Sequence, residues 1–442
     1  MYRQYLLNDY KIANSNDWNY SENESIMKTV ESVIKISNML TKYQGGKKMS
    51  KLTEQEFKAY LKQIRELTEG PFEEIQKEVE VTNKFPQKFF DLAIENNLYR
   101  CCLPESYGGW GLNELEILQV QEEFSRGPGG MRMHLHYAAD MNWRILDDFG
   151  SKELKAEWMD KFADKTVFTC FALTEETGGT GADLHTLAEN KGDYYLINGE
   201  KTLISHTDCC EFAYVIAVTD PTADKDHRLS AFFVPVNTPG YEIVPMPHMM
   251  GCRGAGHAGL KFTDMKLDKK YLLGNEGDGL KIAMHSLSVS RAHIAASNLG
   301  MSQRMLEMTV KRAKDRVTFG KPLVKRQAIQ QAIADMGIEI HALRMMVYDF
   351  AAEFEKDPAG DKIDLKAAMA KCHSINTVKL VSDYMLEIFG GIGYFEECVY
   401  GPVERMYRDC RAMWLEEGPR TVQRLTAARK LIKFDGVIDS AF

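Results

Sequence analysis

A chain of 442 residues is too long for one simple hydrophobic core, so two or three domains are expected. Its 44% hydrophobic and 27% charged content is that of an ordinary globular protein, and a formal net charge of −8 argues against a nucleic-acid groove as the main function. No apolar run approaches the roughly 20 residues a membrane span needs, and the nine cysteines, with adjacent pairs Cys101-Cys102 and Cys209-Cys210, form no C-x-x-C; reduced thiols in a cytoplasm and no metal site are expected.

Residues 1–48 are rich in Asn, Ser, Lys and Tyr and show little sustained periodicity. Gly45-Gly46-Lys47-Lys48-Met49 can be encoded by a ribosome-binding sequence followed by a start codon. The expectation is therefore that Met49 is the natural start and that 1–48 lie outside the fold; the alternative is a genuine, poorly ordered extension.

From Leu52 to about Lys165 the pattern is helical. Leu52-Thr53 caps a first helix, Leu92, Ala93 and Leu98 belong to a second, and Pro104–Gly111 is a turn-rich break. Leu112–Arg126 and Met133–Phe149 are further helices, the latter amphipathic and ending at Gly150.

From Thr166 the period changes. T-V-F-T-C-F-A-L-T, Y-Y-L-I-N-G-E-K-T-L-I-S, F-A-Y-V-I-A-V-T and L-S-A-F-F-V-P-V read as short strands of an all-β block, with Asn198-Gly199 as a hairpin turn. After Leu280 helices return. Ile329, Ile333, Met336, Ile340, Leu343, Val347 and Phe350 form one helix-packing seam; Ala368, Cys372, Ile375, Val378, Val381, Met385 and Ile388 form a second. The glycine loop Phe389–Tyr394 then lets a backbone approach a ligand. Near the C-terminus, Glu416 and Glu417 directly precede Gly418-Pro419. In isolation that is a solvated acidic helix end; in a pocket it is a candidate general base.

Taken together, motifs over residues 52–435 resemble the acyl-CoA dehydrogenase family. A-L-T-E-E-T-G-G-T-G-A-D, Ala172 to Asp183, is similar to the family's flavin loop. I-N-G-E-K-T-L-I-S, G-C-R-G-A, L-G-N-E-G-D-G, R-V-T-F-G-K-P, E-I-F-G-G-I-G-Y and Y-R-D-C-R…E-E-G follow in family order. The resemblance implies an α+β multidomain fold: an N-terminal all-α domain at 49–165, a central β-barrel or sandwich domain at 166–280 and a C-terminal four-helix bundle at 281–442. It implies FAD, lined by Phe171, Leu173, Thr174, Gly181 and Ala182, with Leu203 beside the ring and Ser205 bonding it near N5. Arg316, Thr318, Phe319, Gln327 and the loop carrying Glu387, Gly390 and Gly391 would reach the FAD of a neighbouring subunit, which implies a homotetramer or at least a dimer. Pro419 and Thr421 fall on the cofactor side; Ser288, Arg291 and Gly418 fall on the substrate side.

The reaction so implied removes two hydrogens across Cα–Cβ of an acyl-CoA thioester. A base must take the α-proton while the thioester oxygen is polarised, and because no side chain is a good hydride acceptor, a flavin is needed. Glu417 occupies the family's base position, and an apolar, substrate-filled pocket is expected to raise its pKa. Some members carry the base on the first long C-terminal helix instead; that position is Ser290 here, so the alternative is vacant. Glu416, at a position usually aromatic, is expected to point away; the alternative is a second pocket carboxylate. Electrons would pass to an electron-transfer flavoprotein. The same site can also run as a 2-enoyl-CoA reductase, and a degenerate scaffold is the non-enzymatic alternative.

Several residues depart from the family pattern. Pro419 replaces a Thr, Glu387 replaces a Gln, Ala182 replaces a serine, Leu203 replaces an aromatic residue, and the flavin loop is two residues longer with Glu176 for Pro. Arg132 and His136 lie one helical turn apart. Arg132 matches the position at which glutaryl-CoA dehydrogenases bind a distal carboxylate, so a short acyl-CoA with a distal carboxylate or other polar group is one expectation; surface exposure, or pairing with Glu122 or Asp140, is the other.

Overall fold

Thr53 starts the first helix through a capping box: its hydroxyl accepts from the Glu56 amide while the Glu56 carboxylate accepts from the Thr53 amide at 2.7 Å. In the computed structural model, which describes residues 52–164, 167–179, 183–396 and 398–438, this is α1 (Glu54–Glu69). It is followed by α2 (Pro71–Thr82), α3 (Gln87–Glu95), α4 (Glu114–Phe124), α5 (Gly129–Ala139), α6 (Met141–Phe149) and α7 (Lys152–Trp158). The expectations about Met49 and residues 1–48 lie outside the described residues.

Two helical readings need correction. Leu98 is buried, but it lies beyond the end of α3. The helix expected over Met133–Phe149 is two helices: α5 starts four residues earlier, after Pro128, and the chain breaks at Asp140, with φ −138° and ψ −83°. Gly129 and Gly130 are poor helix formers, so the sequence does not signal the early start. They are needed there for close approach, since a Cβ on Gly130 would sit 2.0 Å from the Arg253 carbonyl oxygen.

The central block is one eight-stranded sheet: β1 (Thr169–Ala172), β2 (Leu187–Asn190), β3 (Tyr194–Ile204), β4 (Phe212–Val218), β5 (Leu229–Pro235), β6 (Tyr241–Pro245), β7 (Ala258–Asp268) and β8 (Leu272–Leu273). The strand order is β6-β7-β3-β2-β4-β5-β8, with β1 parallel to β4. Along β4 every residue is buried. Phe212, Tyr214, Ile216 and Val218 face a core shared with α6 and the start of the C-terminal bundle. Ala213, Val215 and Ala217 face a second core, filled from β3 and β7 by Tyr195, Ile197, Leu260 and Phe262. The sheet thus closes over itself as a sandwich rather than a barrel, which is why its middle strands read as continuous apolar runs. Asn198-Gly199 is not a hairpin turn. Both residues lie within β3, where Asn198 pairs with Leu187 and the register against β7 shifts at Gly199, so the pair marks a bulge.

The C-terminal block comprises α8 (Gly279–Asp315), the small hairpin β9 (Val317–Thr318) and β10 (Lys321–Pro322), α9 (Gln327–Lys356), α10 (Asp361–Phe389), α11 (Val403–Asp409) and α12 (Arg420–Lys433). Helices α8, α9, α10 and α12 form the bundle. The expected seams hold: Met336, Ile340, Leu343, Val347 and Phe350 pack with Val378, Val381 and Met385 in one core, each large side chain contributing about 1.5–3 kcal/mol; Ile329 and Ile333 are half-buried and Cys372 lies outside that core. Among the described residues no helix is long and apolar enough to cross a membrane.

Candidate active site

Between α11 and α12 the chain must reverse within a few residues, and it does so at Glu417 (φ 52°) and Gly418 (φ 98°), immediately before Pro419 caps α12. A left-handed glutamate is strained by about 1–3 kcal/mol. Three side chains hold it there. Gln423 Nε2 donates to the Glu417 carbonyl at 3.0 Å, Arg291 Nε donates to the same oxygen at 3.3 Å, and buried Lys371 Nζ donates to the Met413 carbonyl at 2.7 Å. The loop is thereby fixed against α8, α10 and α12 at once.

The two carboxylates are then delivered to different partners. Oε1 of Glu417 accepts from Ser290 Oγ at 2.6 Å; Oε2 is buried without a hydrogen-bond partner. Burial pushes the carboxyl up, yet the adjoining His136 and Ser290 leave it below its ordinary value, against the expected rise. Interactions that favour the ionised form outweigh desolvation here. Ser290, which stands where some members carry the base, touches the candidate base through its hydroxyl.

Glu416 does not point away. It forms a bidentate pair with Arg132, at 2.8 and 3.1 Å, and Arg132 is 1% exposed. The partner of Arg132 is thus neither Glu122 nor Asp140: Glu122 binds Arg344, and Asp140 binds Arg144 on α6. Burial pushes Glu416 up, but Arg132 more than offsets this and holds the carboxyl at about 2. Nothing in the local sequence around Arg132 signals a partner 284 positions away.

On the cofactor side, Gly181 and Ala182 lie outside the described residues. Phe171 and Leu173 are buried in the sheet core. The turn Glu175–Gly178 is closed by two backbone hydrogen bonds, and Glu175 pins it by accepting from Lys201 Nζ at 2.8 Å and from the His185 and Thr186 amides at 2.6 and 3.0 Å. This buried clamp was not anticipated, though E-E in the loop and E-K in β3 are visible in the sequence. Leu203 (φ 58°) is 57% exposed. Ser205 Oγ has a long 3.4 Å contact to His257, whose Nδ1 is unpartnered, and neighbouring His206 is wholly buried with neither ring nitrogen partnered. An apolar face beside free polar atoms at a rigid loop fits a flavin ring with its hydrogen-bonding edge.

The remaining cofactor-side residues lie on the surface of the C-terminal block. Phe319, left-handed in the β9–β10 turn, is 97% exposed. Arg316, Gln327, Glu387, Gly390, Gly391, Pro419 and Thr421 are exposed, and a Cβ on Gly390 or Gly391 would meet nothing. Thr318 anchors Arg326 at 2.8 Å. On the substrate side, His136 and Arg291 are buried beside Glu417, whereas Ser288 is turned to Asp364 on α10.

Family profiles described as the N-terminal, middle and C-terminal domains of acyl-CoA dehydrogenase match residues 54–166, 170–265 and 277–432. The chain is 34% identical to the mitochondrial short-chain specific acyl-CoA dehydrogenase of Homo sapiens, over 84% of this chain and 89% of that protein. It is 32% identical to the caffeyl-CoA reductase-Etf complex subunit CarC of Acetobacterium woodii, over 81% and 93% respectively. Its fold is similar to that of butyryl-CoA dehydrogenase from Megasphaera elsdenii, with a TM-score of 0.80 and 29% identity over 86% of this chain and 99% of that one.

Proposed function

This chain belongs to the acyl-CoA dehydrogenase family, a family of FAD-dependent oxidoreductases acting on CH–CH groups, and from that premise we propose that it desaturates an acyl-CoA thioester to the trans-2-enoyl-CoA with Glu417 as the α-proton base. The observation that carries this reading is the placing of Glu417: a buried carboxylate with one oxygen held by Ser290 and the other without a hydrogen-bond partner. Bound FAD supplies the acceptor for the β-hydride, which no side chain can supply.

The residues of the chain do the rest. Glu417 takes the proton at Oε2, and the fixed backbone of Glu417-Gly418 holds that carboxylate in one orientation. Phe171, Leu173, Thr174, Leu203 and Ser205 hold the cofactor, together with Gly181 and Ala182. The exposed set around Phe319, Arg316, Gln327 and Gly390-Gly391 serves the cofactor of a neighbouring subunit, so that the working form is a homotetramer or dimer.

Because Glu416 already neutralises Arg132, the substrate class is an acyl group with a neutral end rather than a distal carboxylate. The electron acceptor is an electron-transfer flavoprotein, in keeping with the Etf named for the Acetobacterium relative. That relative's name also supports a second reading, the same chemistry run towards the saturated thioester. Anaerobic mixing with butyryl-CoA should bleach the flavin of the wild type. Glu417→Gln should keep bound FAD yet lose bleaching by at least about 10³-fold; bleaching at the wild-type rate would place the base elsewhere.

A further inference from the structure

Glu417 is the end of a chain of three groups. Ser290 Oγ lies 2.6 Å from Glu417 Oε1 and 2.6 Å from Nε2 of His136, whereas Nε2 is 3.6 Å from Oε1, too far for a direct hydrogen bond. The imidazole therefore reaches the carboxylate through the hydroxyl. A hydroxyl has one proton and an ionised carboxylate has none. With the Ser290 proton spent on Glu417, its oxygen can only accept from His136, so Nε2 carries the imidazole proton. The other ring nitrogen agrees: Nδ1 is buried without a partner and has no acceptor for a proton of its own. Burial also holds the imidazole below its ordinary pKa, in the direction of this single-proton form.

We propose that His136 and Ser290 are a positioning pair that ties down Oε1 of Glu417, keeps the carboxylate ionised and leaves Oε2 as the oxygen that takes the substrate proton. The inference rests on Glu417 being the base. It gives Ser290 a role at a position where the family's alternative base is missing. It also turns His136 away from the acyl group and towards the carboxylate.

The groups facing this chain are Arg132 and Tyr137 from α5, Arg291 and His293 from α8, Lys371 from α10, Glu416 from the loop and His206 beyond β3. Arg132 is tied to Glu416 and His293 to Glu114. Lys371, lowered by burial to about 8, stays charged in acid. Burial keeps His206 neutral. The acid limb is read at Glu417 with its two donors.

The sign follows. Hydrogen bonds to the ionised form lower the pKa of the base, so activity extends to lower pH; removing them raises it and activity fails sooner as pH falls. The test uses the FAD-loaded enzyme with butyryl-CoA, comparing kcat/KM against pH, together with infrared titration of the carboxylate band that Glu417→Gln removes, a readout independent of turnover. Ser290→Ala and His136→Leu should move both the acid limb and the band midpoint up by about one pH unit. Ser290→Thr, which keeps the hydroxyl, and His136→Gln, whose amide nitrogen replaces Nε2 as donor, should restore them. Limb and midpoint unmoved in both Ser290→Ala and His136→Leu would overturn the pair. Bleaching retained by Glu417→Gln overturns instead the base assignment beneath it, while the infrared shift still reports the pair.

Discussion

The Arg132 guanidinium and the Glu416 carboxylate form a bidentate pair next to the proposed base, on segments separated by 284 residues. Arg132 is 1% exposed and the Glu416 side chain 18%. A charge so buried is tolerated only with a partner in good geometry. The pair therefore both anchors the Glu417 loop to α5 and removes from the acyl side the free cation that the sequence suggested.

Glu416→Gln should destabilise the protein by about 3 kcal/mol at neutral pH, because it leaves Arg132 buried and unpaired. The carboxyl is held at about 2 against an ordinary value of 4.5. A folded-state pKa below the unfolded one contributes stability that is fully present above about 4.5 and lost as pH falls towards 2. Urea unfolding at pH 7 and again near pH 3 should show the difference between wild type and variant shrinking in acid. A constant difference would mean that shape, not charge, is what Glu416 supplies.

Wild-type enzyme should use butyryl-CoA in preference to glutaryl-CoA, since Arg132 is already paired with Glu416. Freeing Arg132 by Glu416→Gln should shift the kcat/KM ratio towards glutaryl-CoA by about tenfold, measured in folded protein with FAD bound. A wild-type preference for glutaryl-CoA would show that the pair opens for an anion.

Gly300, in the middle of α8, lets that helix touch α4: an added Cβ would lie 1.9 Å from the Glu122 carbonyl oxygen. Backbone cannot step aside cheaply, so Gly300→Ala should cost about 3 kcal/mol. Gly337, inside α9, is the control. A Cβ there meets nothing, and Gly337→Ala should stabilise by up to about 1 kcal/mol. Thermal midpoints should move in opposite directions; a shared direction would mean that helix propensity, not close approach, governs both sites.

How far the chain could be read in advance varied by element. Thr53 announced its helix because a capping box is local, spelled within four residues. The seams of α9 and α10 were legible because a bundle core repeats with the helix. Asn198-Gly199 misled because the same two residues suit a hairpin turn and a bulge, and only the neighbouring strand decides which forms. The helix before Asp140 was misread because close packing against Arg253 made glycine necessary where propensity opposes it.

The candidate site divides the same way. The order of three blocks, the glycine loops and the E-E-G turn sufficed to identify the family and to mark Glu417 as the candidate base, because these are patterns of residue type and spacing along one chain. What each carboxylate touches was decided only in three dimensions. Ser290 and Glu417 are 127 positions apart, and Arg132 and Glu416 more than twice as far. Hydrogen bonds and ion pairs depend on distance and desolvation, which spacing along a sequence does not encode. By sequence alone Glu417 was a base in an apolar pocket and Glu416 a bystander. The folded chain makes the first a carboxylate pinned by Ser290 and the second the counter-charge of Arg132 beside it.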